Sequence, residues 1–333
     1  LEPLFKTTRN SWWGTKDVKP GVMDWGRAHG KQYGIPMGTG AYYALHINRN
    51  LWRAEGLPEP PLQYDTPSWT FDRILESAKR LTKRDASGAQ QFGINRGLSW
   101  PFLLAVVPGW GGTFMDAKTG EFKWHESPAT DAIQWMADLQ LKHQVAPSTA
   151  ENEGGAFDFE QGHLGLRWST FNLAMYLLQT VGDEFDWDIL PPPRQGNRRT
   201  SIWFYVSWWV QNQASRVTDA AWTFLHWVGG PGGERVSVEY CWSAPHFYSL
   251  DDKFGLRLGS AGAKKNLNVA RDFLKYTVPD RPELNAQFSE ALKVLNPALT
   301  KIADGELTAR QAMTQIKPQM DQRLKQGLAD EKR

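Results

Sequence analysis

Strand-like and helix-like stretches take turns along most of this chain, which limits it to folds in which helices cover the faces of a sheet. Phe71, Ile74, Leu75, Ala78 and Leu81 recur at helical spacing, on one stripe of a helix that starts near Thr66-Pro67-Ser68-Trp69. Further helices are expected over 98–107, opening at Trp100-Pro101 with proline in the first turn, and after Ser127-Pro128, with Ala132, Met136 and Leu139 inward. Another is expected over 218–228, with Ala221, Phe224, Leu225 and Val228 inward and Gly229-Gly230 at its end. A short helix over 51–56 closes on Gly56, and the chain from about 283 onward is mostly helical. Strands are expected at 41–47, 91–95, 162–168, 185–190 and 202–210, the last (IWFYVSWWV) being the most strand-like run of all. The class is therefore α/β. At about 150 residues per domain, the 333 residues imply two domains.

Several function classes fall away on composition and motif. The 38 Lys+Arg against 36 Asp+Glu give a net charge of +2, with no long basic run, which argues against a nucleic-acid partner. No stretch reaches the roughly 18 apolar residues of a membrane helix. The opening LEPLFKTTRNSWWG carries no secretion signal, so an export signal is expected upstream of Leu1. Cys241, the single cysteine, excludes an internal disulfide and reads as a small buried hydrophobe. Gly38-Thr39-Gly40 begins a dinucleotide fingerprint, but Tyr43 occupies the third glycine's place. His125-Glu126 begins a zincin motif, but Ala129 stands where the second histidine belongs. No metal and no cofactor are expected. Asp183-Glu184 and Asp186-Trp187-Asp188 are the carboxylate clusters that could serve a glycosidase; they read more simply as a solvated turn leading into a strand.

The unusual count is 17 Trp, beside 9 Tyr and 16 Phe. Most such rings belong in cores. A few flat faces can also stack on the apolar C–H faces of sugars, as aromatic side chains stack on bases.

Six segments, in order, resemble the family 1 extracellular solute-binding proteins, which include the maltose- and maltodextrin-binding proteins. They are Gly30-Lys31-Gln32-Tyr33-Gly34-Ile35-Pro36 with His46-Ile47-Asn48-Arg49-Asn50-Leu51; Ala54-Glu55-Gly56-Leu57-Pro58 with Ser68-Trp69-Thr70-Phe71; Trp110-Gly111-Gly112-Thr113-Phe114-Met115-Asp116; Phe159-Glu160-Gln161-Gly162-His163-Leu164-Gly165; Ala220-Ala221-Trp222-Thr223-Phe224-Leu225; and Gly305-Glu306-Leu307-Thr308-Ala309-Arg310-Gln311-Ala312. His46 and Ile47 stand where the family usually has tyrosines.

The resemblance implies a two-lobed, type II periplasmic binding protein-like fold with hinge crossovers and an incomplete first lobe. On that reading, 1–35 is a remnant of the N-terminal lobe and 36–200 the C-terminal lobe. Residues 201–245 return to the first lobe, and 246–333 pack as a helical segment on both. Crossovers are expected near 33–39, 200–205 and 244–248. The implied partners are a sugar or oligosaccharide held in the inter-lobe cleft and the permease subunits of an ABC importer. The receptor is expected to be a monomer, periplasmic or extracellular, with any lipid-anchored cysteine upstream. The implied ligand-binding residues are Trp168, Trp100 and Trp203 as stacking platforms, with Met37, Gly38, Thr39, Tyr42 and His246 beside them. No residue is expected to be catalytic. The alternatives are a carbohydrate-active hydrolase built on the cluster near Asp186, and the same receptor taking a polyol or glycerol phosphate.

Overall fold

The computed structural model describes residues 1–9, 11–28, 31–170, 173–199, 203–269, 282 and 285–331; the side chains at 2, 25, 28, 38–43, 199 and 203–206 are outside that description. Helix α1 (Glu2–Thr7) precedes a small ribbon, β1 (Arg27–Ala28) and β2 (Lys31–Gln32), and the long strand β3 (Ile35–Asn48). Next come α2 (Arg49–Ala54), α3 (Phe71–Leu81), the hairpin β4 (Lys83–Asp85) and β5 (Gly88–Ile94), α4 (Trp100–Trp110) and α5 (Ala129–Leu141). Then follow β6 (Leu164–Thr170), α6 (Leu173–Thr180), β7 (Trp187–Leu190), the ribbon β8 (Arg194–Gln195) and β9 (Arg198–Arg199), and β10 (Trp203–Trp209). The remaining helices are α7 (Thr218–Val228), α8 (Pro231–Glu239), α9 (Gly259–Ala263), α10 (Phe288–Ala303) and α11 (Ala309–Asp330).

The main sheet runs β10-β3-β6-β5-β4, with β7 also paired to β3. Strands β5 and β6 are parallel, Phe92 opposite Leu164 and Ile94 opposite Leu166. Strand β7 is antiparallel to β3, Leu45 opposite Leu190 and Asn48 opposite Trp187. Leu164, Gly165 and Leu166 are all buried, the mark of a central strand covered on both faces. Helix α3 lies so close on β5 that a Cβ at Gly93 would come 2.1 Å from the carbonyl oxygen of Ala78. Its inward stripe is Phe71, Ile74, Ser77, Ala78 and Leu81, and the Thr70 hydroxyl caps its first turn by accepting from Arg73 N at 3.1 Å.

The chain divides into two compact units. One comprises Leu1–Ala41, Thr170–Thr180 and Phe204–Asp272; the other comprises Tyr42–Ser169, Val181–Trp203 and Phe273–Arg333. This differs from the sequence-based division, which ended the first N-terminal stretch at 35 rather than 41. The first unit takes in 170–180, and the stretch from 246 is shared between the units rather than forming one segment.

In the first unit, Ile35, Trp222 and Leu225 are buried together under Leu1, Leu4, Phe5, Trp12, Trp13 and Trp209. A second cluster joins Val238, Phe247 and Leu250 to Trp12, Val18 and Phe254. The inward face of α7 is rotated from the expected one: Trp222 and Leu225 are buried, and Phe224 is 53% exposed. The larger ring decides the rotation. Trp222 packs edge-on against Phe5 at 5.1 Å and Trp13 at 5.7 Å, and its indole N–H donates to Thr8 Oγ1 at 2.7 Å.

The second unit holds most of the buried tryptophans, with Trp52, Trp69, Trp124, Trp168 and Trp187 all in its interior. With Trp222 of the first unit, six of the 17 tryptophans are core among the described residues. Helix α5 begins at Ala129, and Ser127 does not cap it; its hydroxyl instead bonds the Asp131 carboxylate at 2.5 Å. No helix among the described residues is long and apolar enough to cross a membrane.

Candidate ligand-binding residues

On the second unit, the segment entering α4 carries an aromatic ring, and its N-cap lines a polar groove. Ser99 is extended and serves as N-cap, Trp100 is the first helical residue, and Pro101 follows where its missing N–H leaves nothing unsatisfied. Trp100 is half-buried, its ring edge-on to Phe288 at 5.4 Å. A groove of about 390 Å³ is lined by the N-cap Ser99 but not by Trp100; Arg96, Ser99, Thr149, Asn296, Thr300 and Asp304 supply it with hydroxyl, amide and charged groups. Arg96 Nη1 donates to Gln140 Oε1 at 2.6 Å and to the Ala303 carbonyl at 3.3 Å; burial pushes its pKa down and the Asp304 carboxylate opposes that shift.

Trp168 does not take the stacking role expected of it. It is 1% exposed, and its ring lies 6.4 Å from that of Phe71. The Asn95 amide clamps its backbone from both sides, accepting from Trp168 N at 2.7 Å and donating to its carbonyl at 3.2 Å. Gly97, at φ +64°, leaves room for the ring: a Cβ there would meet Trp168 Cδ1 at 3.0 Å. A platform needs a face on solvent, and β6 is covered on both sides, so in this structure Trp168 is core.

On the first unit, Met37 is 41% exposed on β3. The backbones of Gly38, Thr39 and Tyr42 belong to β3 and that of Trp203 to β10, but their side chains lie outside the described residues. His246 is also corrected to a structural role. It is 2% exposed, its Nδ1 lies 3.1 Å from Glu234 Oε2, and its backbone N–H donates to Glu234 Oε1 at 2.7 Å. The buried carboxylate thereby ties α8 to the segment after it.

In the acidic cluster, the carboxylates at 186 and 188 are both paired. Asp186 is held by Arg53 at 2.9 Å and Asp188 by Arg49 at 2.8 Å, so each charge is neutralised by its own arginine. Glu121, His125 and Glu126 are the one trio among the described residues with metal-ligand spacing, but the Lys123 ammonium lies 2.9 Å from both glutamates. A metal ion there would have to displace a cation already seated.

The sequence profile of the bacterial extracellular solute-binding proteins matches residues 1–235, most of the chain. The chain belongs to that family. No curated protein sequence matches this solute-binding protein closely enough to count as a relative. Solved structures share its fold. The ABC substrate-binding protein Lmo0181 of Listeria monocytogenes superposes with a TM-score of 0.77 at 17% identity, over 92% of this chain and 75% of that one. UspC of M. tuberculosis gives 0.71 at 22% identity, over 92% and 79%. The GacH receptor of Streptomyces glaucescens gives 0.72 at 16% identity, over 97% and 81%. The fold is thus that of a two-lobed solute-binding protein. The exposed aromatics Trp227 and Trp242 on the first unit were not singled out by sequence, since spacing does not distinguish a surface ring from a core one.

Proposed function

We propose that this solute-binding protein is the receptor of an ABC importer and that its solute is a sugar or oligosaccharide. The observation that carries this is the recurrence of saccharides among proteins of its fold. The Listeria protein was solved with cycloalternan, GacH with acarbose, and a cyclo/maltodextrin-binding protein with maltotetraose. The residues are compatible with that chemistry. A sugar presents an apolar C–H face and many hydroxyls, and the α4 entry carries the half-buried Trp100 while its N-cap Ser99 lines a groove of polar side chains. Met37 supplies an exposed apolar side chain on the first unit. Such a receptor works outside the cytoplasm, free or lipid-anchored, and hands its solute to the membrane permease as a monomer.

Turnover is not part of this reading. Glycoside hydrolysis needs one protonated and one ionised carboxyl on either side of the scissile bond, and Asp186 and Asp188 are instead held by arginines. Isothermal titration against maltose, maltotetraose, cycloalternan and glycerol 3-phosphate, with product analysis of each mixture, tests the proposal. Saturable binding of one or more of the saccharides with no product released is expected. Binding of glycerol 3-phosphate alone, steady release of cleaved sugar, or no binding at all would each overturn it.

A further inference from the structure

We propose that the outer face of the α10–α11 hairpin is a docking groove for an amphipathic helix of a partner protein, one that carries acidic side chains beside its apolar stripe. This goes beyond the sugar-receptor reading and does not depend on which solute is bound.

The hairpin is fixed on its inner side. Phe288, Leu295 and Ile302 of α10 and Met313 and Leu324 of α11 are buried. Ala309 N donates to Gln134 Oε1 of α5 at 2.8 Å, and Phe122 N donates to Asp321 Oδ1 of α11 at 2.8 Å. On the outer side, a groove of about 230 Å³ lies between the two helices. Each helix lends it one stripe at the same spacing, positions 294, 297, 298 and 301 on α10 and 312, 315, 316 and 319 on α11. Ala298 and Ala312 sit in these stripes at 5% and 1% exposure and are too small to close the gap above them. Val294, Leu307 and Ile316 are half-buried along it. A receptor surface held this firmly loses little freedom when a partner settles on it.

The charge of the groove is one-sided. None of the residues that line it is acidic, and its charged side chains are Lys293 and Lys301. They stand about 12 Å apart along the helix axis. Lys293 meets Glu290 at 2.6 Å, in a pair whose side chains are 71% and 41% exposed. An ion pair so open to water is weak and is readily exchanged for another carboxylate. Lys301 has no ion pair among the described residues. Pro297 adds an acceptor. It lies inside α10 without an N–H to give, so the Lys293 carbonyl lacks its ordinary helical donor.

Shape and charge together select the occupant. Small-molecule pockets usually offer about 300–1,000 Å³; this groove is smaller and open to solvent, which suits the anchoring side chains of a laid-on helix. Such a helix sets its own apolar stripe against Val294, Leu307 and Ile316 and its carboxylates against the two lysines. A bilayer is met by a projecting apolar face rather than by a recess between helices.

The test is fluorescence anisotropy with a labelled synthetic peptide of glutamate and leucine, its leucines at helical spacing, beside its lysine–leucine counterpart. Co-sedimentation with phosphatidylglycerol vesicles is run in parallel. Saturable binding of the glutamate peptide is expected, with the lysine peptide about tenfold weaker or worse and no protein carried down by the vesicles. The double variant Lys293→Glu/Lys301→Glu is expected to weaken the glutamate peptide about tenfold or more and to favour the lysine peptide instead. Ile316→Asp should also weaken binding, with a melting curve to show that it folds; if it does not fold, the double variant, whose side chains already face water, decides. Failure of the glutamate peptide to bind, equal binding of the two peptides, protein carried down by the vesicles, or wild-type affinity in the double variant would each overturn the proposal. The sugar titration judges the receptor reading separately, so the two stand or fall independently.

Discussion

On β3, His46 is fully buried, 6.4 Å from the Phe159 ring and 6.2 Å from that of Trp187. Burial first, and the Arg167 charge second, push its pKa from 6.5 down to about 3. The folded chain therefore keeps this imidazole neutral where the unfolded chain protonates it. The stabilising effect is complete above pH 6.5 and is lost progressively as pH falls toward 3. One unit below the ordinary value the loss is about 1.4 kcal/mol. Urea midpoints at pH 7.5 and 5.5 check this: His46→Phe should show a smaller drop between the two than wild type, and an equal drop would refute the assignment. The sequence marked His46 as a departure from the family's usual tyrosine, but not that its position is dry. The same gap explains Trp168 and His246. A motif fixes which residue stands at a position, whereas coverage of β6 depends on chain far away in sequence, and the Glu234 contact on how the chain turns back after α8.

Between elements, the decisive contact is α3 on β5. With 2.1 Å between a would-be Cβ at Gly93 and the Ala78 carbonyl oxygen, Gly93→Ala must push the helix off the sheet. Overpacking of this kind costs roughly 1–3 kcal/mol. The urea midpoint of Gly93→Ala should fall accordingly with an unchanged slope; an unaltered midpoint would show that the two elements separate freely. Most elements were legible beforehand, because their periodicities survive into the structure. Strands expected at 91–95, 162–168, 185–190 and 202–210 correspond to β5, β6, β7 and β10. The face of α7 was not legible. Its apolar residues run around the helix, and only the tertiary partners Phe5, Trp13 and Thr8 select Trp222 for the interior.

For the molecule as a whole, a solute that binds the folded chain alone must raise its stability by mass action, by about 2.7 kcal/mol at a hundredfold excess over Kd. Melting curves should therefore move up with sugar concentration, and a curve that stays put under saturating sugar would contradict specific binding. Two domains were legible from length, and α/β from alternation. The excursion of 170–180 into the first unit carried no compositional mark, so the sequence could not show it. That unit draws on stretches far apart in the chain, and Ile35 finds its core partners only at Trp222 and Leu225. A ribosome adding about 5–20 residues per second needs roughly 10–40 s to travel from the first of these positions to the second. Throughout that interval the early stretch, with Trp12 and Trp13 uncovered, is an open polymer that a holding chaperone or a secretion channel can engage before folding forecloses the choice.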